Sequence, residues 1–231
     1  MSAVPGLSPD GVTSDKGRME RRPLKTRRRP SAAALAAFLL SRGVKPNHVS
    51  LASIVFALVA AVSLGAVPHV STPLQVLLLV LAALGIQLRL LSNLLDGLLA
   101  VEGGLASPTG ELYKDVPDRL ADLLIIVGAG YALAWDWGPP LGWAAAAAAI
   151  LTAYVRVLGG SLGVRQHFGG PMAKQHRMAV LTGACLLSIV EVAVAGFEGW
   201  VLAAALAAIL AGSLVTAGRR LSLVARELSA R

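Results

Sequence analysis

The sequence predicts an all-α integral membrane protein: a six-transmembrane-helix bundle preceded by a cytoplasmic interfacial helix. Three observations predict it. Hydrophobic residues make up 55% of the 231 positions, and the mean hydropathy is +0.68, far more apolar than a soluble surface allows. Several apolar runs approach the roughly 20 residues that a bilayer-crossing helix needs. Basic residues fall in every second connection, as the positive-inside rule requires of cytoplasmic loops.

Residues 1–30 read as a disordered, basic N-terminal segment, and residues 31–231 as one membrane domain. Gly, Ser, Pro and Asp dominate the first fifteen positions, a composition that cannot bury a core. Lys16, Arg18, Arg21, Arg22, Lys25 and Arg27–Arg29 follow. They supply much of the formal net charge of +8. Beside a membrane bundle such a run holds the N-terminus in the cytoplasm and touches anionic lipid, so nucleic acid is not expected as a partner. The first long apolar run begins too late for a cleavable signal peptide. The single cysteine, Cys185, lies in an apolar run. It excludes an internal disulfide and reads as a small buried hydrophobe.

Ser31 to Leu40 form an Ala/Leu helix too short to span, suited to lying along the cytoplasmic surface. Gly43 to His48 read as a turn and a helix start, with Asn47 as the N-cap. The spans are expected at 49–67, 73–101, 116–135, 141–163, 178–197 and 199–218. Pro68–Pro73, Asp136–Pro140 and the link at Glu198 carry almost no basic residues. Lys114, Arg119, Arg165, Lys174 and Arg177 fall in the other connections, and Arg219, Arg220, Arg226 and Arg231 in the tail. Both termini are therefore placed in the cytoplasm. Trp135, Trp137, Trp143 and Trp200 gather at the opposite ends, as an aromatic belt would.

Two polar stripes interrupt the apolar pattern. Arg89, Asn93 and Asp96 recur at intervals of four and three, so they share one face of the second span. Lys114, Asp118 and Asp122 recur every four residues at the start of the third. A charge at the bilayer centre costs about 2.5–3.5 kcal/mol on insertion scales, so both stripes should face a shared interior cavity on the cytoplasmic side. Arg89 reads either as snorkelling to the interface or as an inward salt bridge to Asp96. Arg156, Arg165, Lys174, His176 and Arg177 form a second basic cluster on that side. Arg165 and Lys174 are explained as well by topology as by anion binding. Arg156 lies within an apolar helix and needs a partner. His48, His167 and His176 lack metal-ligand spacing and read as interfacial. Glu102 reads as solvated, Asp122 as either a further ligand or a helix-face charge, and Glu191 has no assigned role.

The segment Asn93 to Asp118 resembles the signature of the CDP-alcohol phosphotransferases, D-x-x-D-G-x-x-A-R-x8-G-x3-D-x3-D. Asp96, Gly97, Ala100, Gly110 and Asp118 match without insertion or deletion. Gly43 to Ser50 resembles the family's lead-in to its first helix, Tyr154-Val155-Arg156 its fourth-helix motif, and Gly170 to Arg177 its basic loop. Six spans after a surface helix are also the family's architecture, so the resemblance covers essentially all of residues 30–220. The chain departs where the first aspartate is Asn93, the arginine is Val101 and the third aspartate is Lys114. Asp115 stands beside that last position but about 100° around the helix.

The resemblance implies a membrane transferase of phospholipid biosynthesis. It would move a phosphoalcohol group, typically phosphatidyl, from a CDP-alcohol such as CDP-diacylglycerol to a hydroxyl acceptor, releasing CMP. It implies a divalent metal, Mg2+ or Mn2+, held here by Asp96, Asp118 and Asn93, with Asp118 also the general base. With two aspartates replaced, a one-metal variant is expected in which Lys114 supplies the other positive charge and contacts phosphate. Asn93, Gly97, Ala100, Gly110, Arg156, Lys174 and Arg177 are the expected substrate-binding residues. Other expectations are a bacterial inner (plasma) membrane location and a homodimer permitted by Gly- and Ala-rich helix faces. The rival reading is a catalytically impaired relative that binds lipid or nucleotide. A small transporter has less support, since no inverted repeat or broken helix pair is visible.

Overall fold

A computed structural model describes residues 30–104 and 110–231. The expected disordered segment lies outside these residues except for Pro30, as do Ser107 to Thr109 and the side chain of Glu102. Among the described residues the structure is all helical. α1 spans Pro30–Ser41, α2 Pro46–Ala66, α3 Thr72–Glu102, α4 Gly110–Tyr131, α5 Gly138–Ser161, α6 Lys174–Ala195 and α7 Trp200–Ser229, with a short 3-10 turn at Val67–His69.

Five of these, α2, α3, α5, α6 and α7, are long and apolar enough to cross a membrane. α4 is 22 residues long but carries Lys114, Asp115, Asp118, Arg119 and Asp122 in its first half. It begins earlier than the apolar pattern suggests because those charged residues continue the helix N-terminally. α7 likewise runs to Ser229, well past the expected limit at 218. Its polar extension is anchored by packing, with Val224 5% exposed against the α5 end.

Asn47 is not the N-cap. Lys45 takes that position in an extended conformation without a side-chain cap, and Pro46 occupies the first turn. Proline's fixed φ and missing N–H suit that position, so helix initiation there needs no Asn side chain. Gly43, at φ 71°, closes α1. Its N–H bonds to the Leu40 carbonyl at 2.9 Å and that of Val44 to Leu39 at 3.1 Å, a left-handed helix stop that glycine adopts without steric cost.

α2 packs against α3 and α4, α5 against α4 and α7, and α3 against α6, while α1 rests on α3. The core is built from Ala, Leu and Ile of the long helices. α1 contributes Ala32 and Ala36 to a smaller cluster with Val49, Leu95, Leu98 and Leu99. Outward faces stay apolar: Val62 is 62% and Val194 82% exposed. Such a surface suits lipid rather than water.

Close approach of α2 and α4 depends on Gly128. A Cβ there would lie 2.6 Å from the Ala61 Cα, far inside van der Waals contact. Gly128→Val should destabilise the bundle by about 1–3 kcal/mol. Thermal unfolding in detergent checks this, and an unchanged midpoint would remove the close-packing argument.

Three of the four tryptophans meet at one end. Trp135 stacks on Trp137 at 4.6 Å and approaches Trp200 at 4.2 Å between ring centroids. At the same end Glu191 reaches from α6 to the start of α7. Its carboxylate accepts the N–H groups of Gly199 at 2.8 Å, Trp200 at 2.9 Å and Val201 at 3.4 Å. It satisfies donors that a helix N-terminus leaves free, and its charge complements the helix dipole. A carboxylate without a role in the sequence is therefore a helix cap.

Candidate functional site

The two polar stripes face each other across the bundle interior. Asp96 on α3 is 3% exposed. Its Oδ2 accepts the Ser50 hydroxyl from α2 at 2.9 Å, and its Oδ1 accepts Lys114 Nζ from α4 at 3.0 Å. Asp118, one turn beyond Lys114, is 5% exposed. Its Oδ2 meets Lys174 Nζ at 2.5 Å, while its Oδ1 has no hydrogen-bond partner among the described residues.

Arg89 points inward and is fully buried. Its partner is not Asp96. One amino group donates to Asp122 Oδ1 at 2.5 Å and to the Asp118 carbonyl at 3.0 Å, and lies 3.6 Å from Asp118 Oδ1. Arg89 and Asp96 are two turns apart on one helix, a rise of about 10 Å, so the facing helix is nearer. Asp122 also accepts from Arg177 at 3.3 Å. Arg177 reaches the Met172 carbonyl at 2.8 Å and the Thr152 hydroxyl at 3.3 Å. Burial of these charges is tolerated because each finds an opposite partner.

Four of the expected residues thus form two pairs on successive turns of α4, Lys114 with Asp96 and Asp118 with Lys174, and Arg177 reaches the next turn of α4 through Asp122. Arg156 stands at the margin, paired with Asp115 at 3.0 Å and 5.3 Å from the Phe168 ring centre. Gly97 is buried beside Asp96, and Asn93 presents a buried amide nitrogen without a partner. Ala100 and Gly110 are half-buried. Ser50, Arg89 and Asp122 complete the cluster, although sequence reasoning gave them no such partners. Ser50 signalled itself only as a hydroxyl in the first turns of an apolar helix. Arg220 was read as topology. Instead it is 6% exposed and donates to the carbonyls of Thr152 at 2.7 Å, Phe168 at 2.9 Å and Gly169 at 3.0 Å. It secures the loop that delivers Lys174.

The donor set does not fit the divalent centre expected from the resemblance. Mg2+ or Mn2+ needs several oxygens turned toward one point. Here Asp96 is taken by Lys114 and Ser50, Asp118 by Lys174, and Asp122 by two arginines. Among the described residues no three His, Cys, Asp or Glu side chains converge as a metal site. The arrangement can instead receive an anion at the partly exposed Lys114 ammonium, one turn of α4 from the Asp118 carboxylate, whose Oδ1 accepts no hydrogen bond among the described residues.

No protein-family profile matches the sequence, and no curated protein sequence is similar enough to count as a match. The fold itself has counterparts among solved structures of helical membrane proteins. Those counterparts are structures of Mycobacterium tuberculosis phosphatidylinositol phosphate synthase, PgsA1. The structure with CDP-DAG bound superposes with a TM-score of 0.67 at 19% identity, covering 84% of this chain and 92% of that one. The complex with manganese and citrate gives 0.67 at 19%, covering 84% and 88%. The apo form gives 0.64 at 20%, covering 83% and 94%. At such identity the likeness is one of fold.

Proposed function

We propose that this chain is a membrane transferase that moves a phosphatidyl group from a CDP-alcohol to a hydroxyl acceptor, releasing CMP, in phospholipid biosynthesis. The observation that carries the reading is the pair of lysine–carboxylate contacts on successive turns of α4, Lys114 with Asp96 and Asp118 with Lys174, where Asp118 Oδ1 accepts no hydrogen bond among the described residues. The signature matches at Asp96, Gly97, Ala100, Gly110 and Asp118 and the fold shared with a CDP-DAG-bound synthase support it.

In this reading Asp118 accepts the proton of the acceptor hydroxyl. The hydroxyl oxygen bonds to the phosphorus that carries the diacylglycerol, the bond from that phosphorus to the bridging oxygen breaks, and CMP leaves with the electron pair. Lys114 and Lys174 balance the charge that builds on the diphosphate. Ser50 holds Asp96, and Asp96 orients the Lys114 ammonium. Asn93, Gly97, Ala100 and Gly110 line the approach of the nucleotide, and Arg156 and Arg177 add positive charge for an anionic acceptor. No step depends on a metal ion. α4 is the sixth span and α1 lies along the cytoplasmic interface, with both termini in the cytoplasm and residues 31–231 forming one domain in a bacterial inner membrane. A homodimer through the small-residue helix faces is compatible with this arrangement.

An apolar groove supports a lipid donor. A cavity of about 330 Å³ between α1, α2 and α3 is lined by Leu35, Val49, Ala52, Phe56, Leu88 and Leu95. Ala52→Trp should raise the KM for CDP-diacylglycerol by about tenfold, the worth of roughly 1.4 kcal/mol, and leave the affinity for free CDP unchanged. Equal effects on both ligands would detach the groove from the lipid.

The decisive experiment supplies purified protein with radiolabelled CDP-diacylglycerol, Mg2+ or Mn2+, and a panel of alcohols, and scores CMP release. A second reading, a relative that binds lipid or nucleotide without turnover, is favoured by the cations already seated on Asp96, Asp118 and Asp122. Nucleotide binding without CMP release from any acceptor would establish it.

A further inference from the structure

Three carboxylates, Asp96, Asp118 and Asp122, meet four cationic side chains, Lys114, Lys174, Arg89 and Arg177. The cluster therefore holds one positive charge in excess before any ion or ligand arrives. Adding a divalent ion would concentrate three positive charges where Asp96 and Asp118 are 3% and 5% exposed, a costly arrangement at low dielectric. Lys114 is different from the other three. Its Nζ sits 3.0 Å from Asp96 Oδ1, yet its side chain is 36% exposed. It is held by a carboxylate on one side and open to an incoming group on the other.

We propose that Lys114 is a resident cation that excludes divalent metal from this site, so that a phosphate or diphosphate group binds directly to ammonium rather than through a bridging ion. The diphosphate identity of the anion rests on the transferase reading, whereas the exclusion of metal rests on the charge arrangement alone. An ammonium carries its charge on a tether and three N–H donors, so it neutralises phosphate without the oxygen cage that a divalent ion demands.

Mn2+ uptake by the purified full chain in detergent, followed by the loss of the free-ion electron paramagnetic resonance signal, tests the exclusion. The parent should leave the signal undiminished. Asn93→Asp combined with Lys114→Asp restores oxygen donors, and should sequester about one ion per chain. Sequestration of Mn2+ by the parent overturns the proposal. So does a double variant that elutes and melts like the parent but takes up no Mn2+. If that variant does not fold, Lys114→Met is compared with the parent by calorimetric titration of CDP in EDTA. The loss of one charged hydrogen bond should weaken affinity at least about tenfold, and unchanged affinity counts against the proposal. Parent affinity for CDP should be the same in EDTA and in Mn2+, and binding only with Mn2+ overturns it. If CDP fails to bind in either medium, the donor reading falls, while the Mn2+ measurement still decides whether the lysine excludes metal.

Discussion

Asp118→Asn should lower the rate of CMP release by about 10²–10⁴-fold, the usual worth of a positioned general base. The substitution keeps the shape of the side chain and its hydrogen-bonding reach but removes the lone pair able to take a proton at neutral pH. Two features direct the prediction to this carboxylate rather than to Asp96 or Asp122. Both oxygens of Asp96 accept hydrogen bonds, from Lys114 and Ser50. Both oxygens of Asp122 are held by arginines. Asp118 keeps one oxygen without a hydrogen bond among the described residues, 3.6 Å from the Arg89 guanidinium. Initial rates with labelled CDP-diacylglycerol check the prediction, with elution and melting compared to separate catalysis from folding. A variant that keeps more than about a tenth of the parent rate would end the base assignment.

Arg89→Met should cost about 3–5 kcal/mol of stability, the range for removing one partner of a buried ion pair. Arg89 is fully buried and ties α3 to α4 through Asp122 and the Asp118 carbonyl. Without it Asp122 would keep only Arg177 at 3.3 Å, and the interior would hold a poorly matched carboxylate. Denaturant unfolding in detergent gives the measure. Adding Asp122→Leu to Arg89→Met should recover part of the loss, because removing both members of a buried pair is often close to neutral. A loss below about 1 kcal/mol for the single variant would place the cluster outside the forces that hold the helices together.

Much of the architecture was legible because bilayer solvation acts on composition and period. Helices of the right length at nearly the right places follow from apolar runs. The inward stripe of Arg89, Asn93 and Asp96 was legible for the same reason, since charge does not face lipid. Helix ends were less so. Asn47 has the chemistry of a cap, yet Pro46 starts α2 by backbone constraint. The polar ends of α4 and α7 extend beyond any hydropathy window because tertiary contacts, not apolarity, stabilise them.

Sequence alone therefore determined the apolar helices, which helix faces carry charge, and that Asp96, Lys114 and Asp118 fall in one segment resembling a family signature. Only the folded chain decided the pairing: Lys114 with Asp96, Lys174 with Asp118, Arg89 with Asp122, and Glu191 with the start of α7. Helical period assigns a side chain to a face, but a partner on another helix is chosen by interhelical distance and rotation, which no local pattern encodes. That choice also turned expected metal ligands into salt-bridge partners, because a carboxylate beside a lysine on the facing helix lowers its energy by pairing before any ion arrives.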